Sequence, residues 1–203
     1  MKHFLLLLAV FTAASFISPT VDVITVSERK LALDNLQRTK ERFLNDIKGL
    51  SANQLSFKAD TSRWSIAQCI EHIALAENVI WQWQQGMMQQ PAAPEKASQV
   101  KITDDQLLKA IVDRSHKFQA PEMLKPVGKF PNTEAAIQSY TSRRDSTIEY
   151  MKTTQDDLKN HFADHPALGT INTYQLLLFL AGHSERHTMQ IEEVKATPGF
   201  PKQ

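Results

Sequence analysis

The sequence predicts an all-α protein organised as a four-helix bundle, and three observations predict it. Apolar residues recur at helical spacing along most of the chain, while β-type alternation is scarce. Two capping-box pairs, Ser65 with Gln68 and Thr103 with Gln106, mark helix starts. Prolines and glycines gather between the periodic stretches rather than inside them. The chain of 203 residues is long enough for one domain with its own core, assigned here to residues 22–200.

The first helix is expected from about Ser27 to Lys48, with Leu36, Phe43, Leu44 and Ile47 on one face and Gly49 after its end. The second opens at Ser65 and stops at Gly86. Its apolar residues form two stripes, one with Ile66, Ile70, Ile73 and Ile80, the other with Cys69, His72, Ala76, Val79 and Trp83. A helix apolar on two sides is buried over most of its surface. Residues 89–101 read as a polar linker with Pro91 and Pro94. A shorter helix then runs from Thr103 to about Phe118. Pro121, Pro126, Gly128 and Pro131 mark an irregular crossing. A third long helix spans about Thr133 to Asp156, with Ile137, Tyr140, Ile148 and Met151 sharing a face. Residues 160–170 read as a loop. The last helix starts near Asn172 or Thr173 and ends before Pro198-Gly199. Four long helices and one short extra helix fit a bundle with one long crossover.

The N-terminus reads differently. Lys2 precedes an uncharged apolar run from Phe4 to Ile17, which is short for a bilayer span but suits a secretory signal. Ala13, Ala14 and Ser15 offer a cleavage region and Pro19 breaks any helix, so residues 1–18 are expected to be a signal peptide. The mature protein is then exported, periplasmic or secreted, with no stable membrane span after cleavage. Basic and acidic residues number 23 and 22 and are mixed along the chain, which argues against a nucleic-acid-binding stripe. Cys69 is the only cysteine, so no intrachain disulfide and no cysteine-rich zinc site can form.

Two histidines carry the functional signal. Leu176, Leu180, His183, His187, Ile191 and Val194 project from one stripe of the last helix, which would set both imidazoles in the middle of its core-facing surface. His183 and His187 are four residues apart, one helical turn, the spacing with which two imidazoles grip one ion. Buried imidazoles lose hydrogen bonds to water unless something satisfies their nitrogens. A metal does so; neighbouring polar groups are the alternative. His72, on the second helix, supplies a third ring in an antiparallel arrangement. Three imidazoles suit zinc, nickel, iron or copper, and leave a fourth position open to water or substrate.

Other residues have weaker claims. His116, His161 and His165 are expected at the surface. Glu71, Glu77 and Glu185 flank the ligands and could orient a ring or shuttle a proton, but solvated surface carboxylates are the preferred reading. Arg144, between Tyr140 and Ile148 on an apolar stripe, could bind an anionic substrate or snorkel. Cys69 lies one turn before His72; a small buried hydrophobe is the commoner role, ligation the alternative.

The segments W-S-I-A-Q-C-I-E-H-I at Trp64–Ile73 and G-H-S-E-R-H-T-M-Q-I at Gly182–Ile191 resemble the second-helix and last-helix motifs of the DinB-like, or YfiT-like, family. D-R-S-H-K-F-Q-A-P-E at Asp113–Glu122 and Y-Q-L-L-L-F-L at Tyr174–Leu180 resemble one branch of it. The resemblance implies a four-helix bundle of the DinB/YfiT type, often a homodimer. It also implies a divalent metal, commonly zinc or nickel, on His72, His183 and His187. Some members transfer low-molecular-weight thiols in the cytosol and others are metal-dependent hydrolases. The function expected is therefore that of a metal-dependent hydrolase or thiol transferase acting on an unidentified small molecule. A non-catalytic, exported metal- or ligand-binding bundle is the alternative.

Overall fold

The structure is a computed structural model that describes residues 23–58 and 60–202. The signal peptide expected at residues 1–18 lies outside the described residues. Four long helices dominate: α1 (Val26–Ile47), α3 (Ile66–Met88), α5 (Thr133–Thr153) and α6 (Thr173–Lys195). Two short helices, α2 (Ala52–Ser56) and α4 (Asp104–Val112), lie between them, with a hairpin of β1 (Phe162–His165) and β2 (Gly169–Asn172) before α6. No helix among the described residues is long and apolar enough to cross a membrane.

The helix starts follow from side-chain capping. Thr25, Ser51, Ser65 and Thr103 each accept the backbone N–H three residues on, and Glu28, Gln54, Gln68 and Gln106 reach back to complete the box. Asn132 and Asn172 cap α5 and α6 in the same sense. Each such cap is worth about 1 kcal/mol.

The interhelix hydrogen bonds fix the helix directions. Arg29 at the start of α1 reaches the carbonyls of Met151 and Thr154 at the end of α5, so this pair is antiparallel. Tyr174 Oη donates to the Glu28 carbonyl, while Lys195 pairs with Asp46, so α1 and α6 run parallel. In the same way α3 runs parallel to α5, through Asn78 with Ser139 and Gln84 with Tyr150. It is antiparallel to α6, because His72 meets His187 at one end and Met87 meets His161, just before α6, at the other. Each of α1 and α3 packs on both α5 and α6, which places α1 and α3 on a diagonal. Neighbouring parallel helices such as α3 and α5 cannot be joined by a tight turn. The long crossover between them, carrying α4, is a consequence of this geometry.

The core divides in two. One cluster holds Leu36, Ile80, Ile148, Met151 and Leu176–Leu178 with Leu180; the other holds Phe43, Ile66, Ile70, Ile73, Tyr140, Ile191 and Val194. Between them lies a polar layer with one member from each long helix: Thr39, Glu77, Arg144 and Ser184, all buried. Arg144, 0% exposed, donates Nε to Glu77 Oε1 at 2.6 Å and Nη2 to Oε2 at 2.8 Å. Its remaining N–H groups go to Thr39 Oγ1 and Ser184 Oγ, each at 2.8 Å, and to the carbonyls of Leu36 and Leu180. Arg144 is thus neither a snorkelling residue nor an anion site, and Glu77 is no surface carboxylate. Burial alone pushes Glu77 toward protonation and Arg144 toward deprotonation; on Arg144 the attraction of Glu77, with Tyr140 and Asp145 added to it, more than offsets burial and raises the pKa. We assign the ionised pair, because each carboxylate oxygen accepts one guanidinium N–H.

Several boundaries differ from expectation. Helix α3 continues through Gly86 to Met88, since an internal glycine costs only about 1 kcal/mol and Met87 is buried in the last turn. Helix α4 ends at Val112, not near Phe118. There Arg186 takes the carbonyls of Ile111, Asp113 and His116, which holds the chain away from helical pairing. Gly182 lets α4 close on α6: a Cβ there would sit 3.1 Å from the Ile111 side chain. The linker contains a 3-10 turn at Pro94–Gln99, and the loop at residues 160–170 is largely the β1–β2 hairpin. Gly169, with φ of 73°, completes the reversal at the start of β2.

Glu77→Ala is expected to cost about 3–5 kcal/mol in urea unfolding, because it strands a buried guanidinium. A loss below about 1 kcal/mol, the scale of an exposed pair, would show that the layer does not clamp the bundle.

Candidate metal centre

Helix α3 brings His72 and helix α6 brings His183 and His187 to one place near the end of the bundle where α3 begins. One nitrogen from each ring lies within 4.8 Å of the other two. The ring centroids are 4.3 Å apart for His72 and His187, 4.6 Å for His183 and His187, and 5.1 Å for His72 and His183. Among the described residues this is the one group of three or more His, Cys, Asp or Glu side chains so placed. His72 is buried, and His183 and His187 are half-buried. The two histidines of α6 therefore sit at the edge of its core face. The middle belongs to Ser184 and Thr188, because α1, α3 and α4 together cover most of the helix.

The outer ring nitrogens are held. His72 Nδ1 lies 2.8 Å from the carbonyl oxygen of Leu124, in the crossing segment. A carbonyl only accepts, so Nδ1 carries the proton and Nε2 of the neutral ring presents a lone pair. Gln190 Oε1, as oriented, lies 2.9 Å from His187 Nδ1 and assigns that ring the same tautomer. The two Nε2 atoms then face each other at 3.1 Å with lone pair toward lone pair. Such a contact is relieved by a cation between them.

The donor set fits a divalent transition ion. Imidazole nitrogens bind zinc at about 2.0–2.1 Å, so the widest pair needs only a small ring rotation. The acceptors on the outer nitrogens are those that orient metal-binding histidines. Protonation states agree. Burial lowers the pKa of His72, and the Leu124 contact offsets it only in part. Burial, then the neighbouring rings, takes His183 and His187 well below the usual histidine value. The rings are thus kept neutral, as ligands must be.

The surroundings are aromatic on one side and charged on the other. Trp64 packs 4.8 Å from the His72 ring and 6.1 Å from His187, and Phe179 lies 5.8 Å from His183. The crossing segment is strapped over α6 by Arg114, which forks onto Glu193 at 2.6 and 2.7 Å. Glu71, expected to be solvated, accepts the backbone N–H groups of Gly128 and Lys129 and so pins the crossing to α3. Glu185, also expected at the surface, is buried and takes Arg38 and Arg42 of α1. All three candidate carboxylates are therefore committed elsewhere.

Cys69 is fully buried, lies outside the histidine group, and has its thiol pKa pushed up to about 12 by burial. It is a small hydrophobe. His116 is exposed as expected, but His161 is buried against the Met87 carbonyl and His165 is half-buried. Sequence reasoning missed Leu124 and Gln190. Gln190, three residues after His187, could have been found from helical spacing; a backbone carbonyl in an irregular crossing leaves no sequence signal.

Fold and site together define a helical bundle with a three-histidine centre of metal-ligand geometry. The sequence matches the DinB superfamily over residues 35–191, and the chain belongs to that family. It is 23% identical over 151 residues to the uncharacterized protein YuaE of Bacillus subtilis (strain 168), covering 74% of this chain and 89% of YuaE. Its fold resembles that of YfiT from Bacillus subtilis, described as a probable metal-dependent hydrolase with an unusual four-helix bundle topology. The TM-score is 0.60 at 13% identity, over 89% of this chain and 93% of that one.

The depressed histidine pKa values have a sign. The unfolded chain binds protons at its histidines near pH 6.5, whereas the folded, metal-free chain resists them. Stability is therefore complete above about pH 6.5 and lost as pH falls from there through the folded values. Chelator-treated protein should show a falling urea midpoint from pH 7.5 to 5.5, and His183→Phe should flatten that fall. Equal slopes would count against neutral buried rings.

Proposed function

We propose that the protein holds one zinc or nickel ion through His72, His183 and His187 and uses it in hydrolytic or thiol-transfer chemistry on a small molecule. The observation that carries this reading is the 3.1 Å approach of His72 Nε2 to His187 Nε2 while their outer nitrogens face Leu124 and Gln190 oxygens. When bound, such an ion supplies Lewis acidity and an open coordination position. The chain's own residues orient the rings through Leu124 and Gln190 and shield one side with Trp64. The export signal read at the N-terminus supports a periplasmic or secreted location, and the family resemblance supports a homodimer.

A second reading, a binding protein without turnover, draws on one observation. Glu71, Glu77 and Glu185 are each tied to structural partners, which leaves no obvious carboxylate base beside the rings.

Elemental analysis of untagged protein tests the first reading. Wild type should carry about one divalent ion per chain, and His72→Ala and His183→Ala should each lose it. Gln190→Ala should keep the ion with an affinity lower by about 10–100-fold. Unchanged metal content in both histidine variants would sink the assignment. An ester and thiol-conjugation panel on loaded protein then separates enzyme from binder.

A further inference from the structure

The rings at the metal centre continue into a line of aromatic side chains that the proposed chemistry does not use. Phe179, one turn before His183 on α6, contacts the His183 ring on one side. On the other it meets His165 at the end of β1, with centroids 4.7 Å apart. The His165 ring in turn stacks on Trp83 of α3, at 6.1 Å and an interplanar angle of 22°. Phe179, His165 and Trp83 are all half-buried, so each keeps part of its surface open. An aromatic residue fully committed to the core would leave none.

His165 sits in the middle of this wall and brings a polar ring between Phe179 and Trp83. The Ala167 N–H donates to its Nδ1 at 3.2 Å, so the neutral ring carries its proton on Nε2. Among the described residues, that Nε2–H has no hydrogen-bond partner. The hairpin holds the ring in place: His165 pairs with Gly169 in the β1–β2 register, and the Leu168 N–H bonds the His165 carbonyl. A surface loop histidine would need no such placement. Here the hairpin inserts its ring between Phe179 and Trp83.

We infer that Phe179, His165 and Trp83 form the substrate subsite of the three-histidine centre. It takes a planar, aryl-bearing ligand whose far end offers an acceptor such as a carboxylate to His165 Nε2–H. The inference rests on the metal reading above, because the ion anchors the near end of the ligand. The wall then binds the ring, and His165 reads the polar end.

Hydroxamates, which chelate divalent ions, are the probes. Cobalt-loaded protein is titrated with acetohydroxamate, benzohydroxamate and 4-carboxybenzohydroxamate, followed by visible absorption, with metal content measured on every sample. Benzohydroxamate should bind about tenfold more tightly than acetohydroxamate, the scale of an aromatic contact with its burial. The carboxyl group should add about tenfold or more, as one charge-assisted hydrogen bond does. Phe179→Ala should lose the aryl gain while keeping the metal. His165→Phe should keep the aryl gain and lose the carboxyl gain. Stoichiometric metal with equal affinity for acetohydroxamate and benzohydroxamate overturns the subsite and leaves the metal reading standing. Aryl preference that survives Phe179→Ala, or a carboxyl gain that survives His165→Phe, also overturns it. Failure to bind metal at all overturns both.

Discussion

The bundle is held in register by a single guanidinium. Arg144 of α5 bonds Glu77 of α3, Thr39 and the Leu36 carbonyl of α1, and Ser184 and the Leu180 carbonyl of α6. Apolar packing alone tolerates sliding, because one leucine replaces another at modest cost. A fully satisfied buried ion does not: a shift of one residue, about 1.5 Å along a helix, would break several bonds at once. The partners lie next to the candidate ligands. Ser184 follows His183 directly, and Glu77 is just over a turn beyond His72. The layer that fixes α3 against α6 therefore also fixes where His72 meets His183 and His187. The contribution of this ion pair is to specify one alignment of the helices.

The second constraint is topological. Helices α3 and α5 are parallel neighbours, so the chain must travel the length of the bundle between them. That connection could have crossed anywhere on the surface. Arg114 and Arg186 tie it to α6, Glu71 ties it to α3, and the Leu124 carbonyl reaches His72. The crossing thus becomes part of the site, and it contributes through its backbone. Its side chains are free of that duty. Phe118, Met123 and Val127 remain largely exposed on it.

Much of this was legible in the chain. The four long helices followed from apolar periodicity, the starts of α3 and of the short α4 from caps at Ser65 and Thr103, and the histidine triad from one-turn spacing plus a third ring on a buried helix. Three kinds of feature were not legible. The Arg144 layer looked like isolated polar residues, because its members lie far apart in sequence and only the topology joins them. The hairpin at Phe162–Asn172 was hidden since its two strands are only four residues each, too short for alternation to register. The carboxylates were read as solvated because composition gives that default; burial of Glu77 and Glu185 depends on partners that sequence separation conceals. Helical spacing placed His183 and His187 on the core stripe, but the true centre of that stripe lies one residue over. A period of 3.6 cannot resolve that difference when three other helices pack on the same one.

The energetic logic of the site follows from these placements. Three neutral imidazoles are drawn from water, and two of them turn lone pairs toward each other at 3.1 Å. This arrangement is unfavourable on its own, and the folded chain sustains it because the alignment of α3 and α6 is imposed from the Arg144 layer. A cation that satisfies the nitrogens removes the penalty and adds its own binding energy, so metal affinity and fold stability become one linked quantity. The same rigidity explains why the rings need only Leu124 and Gln190 as direct supports. The helices already fix their separation, and the hydrogen bonds have only to choose the tautomer.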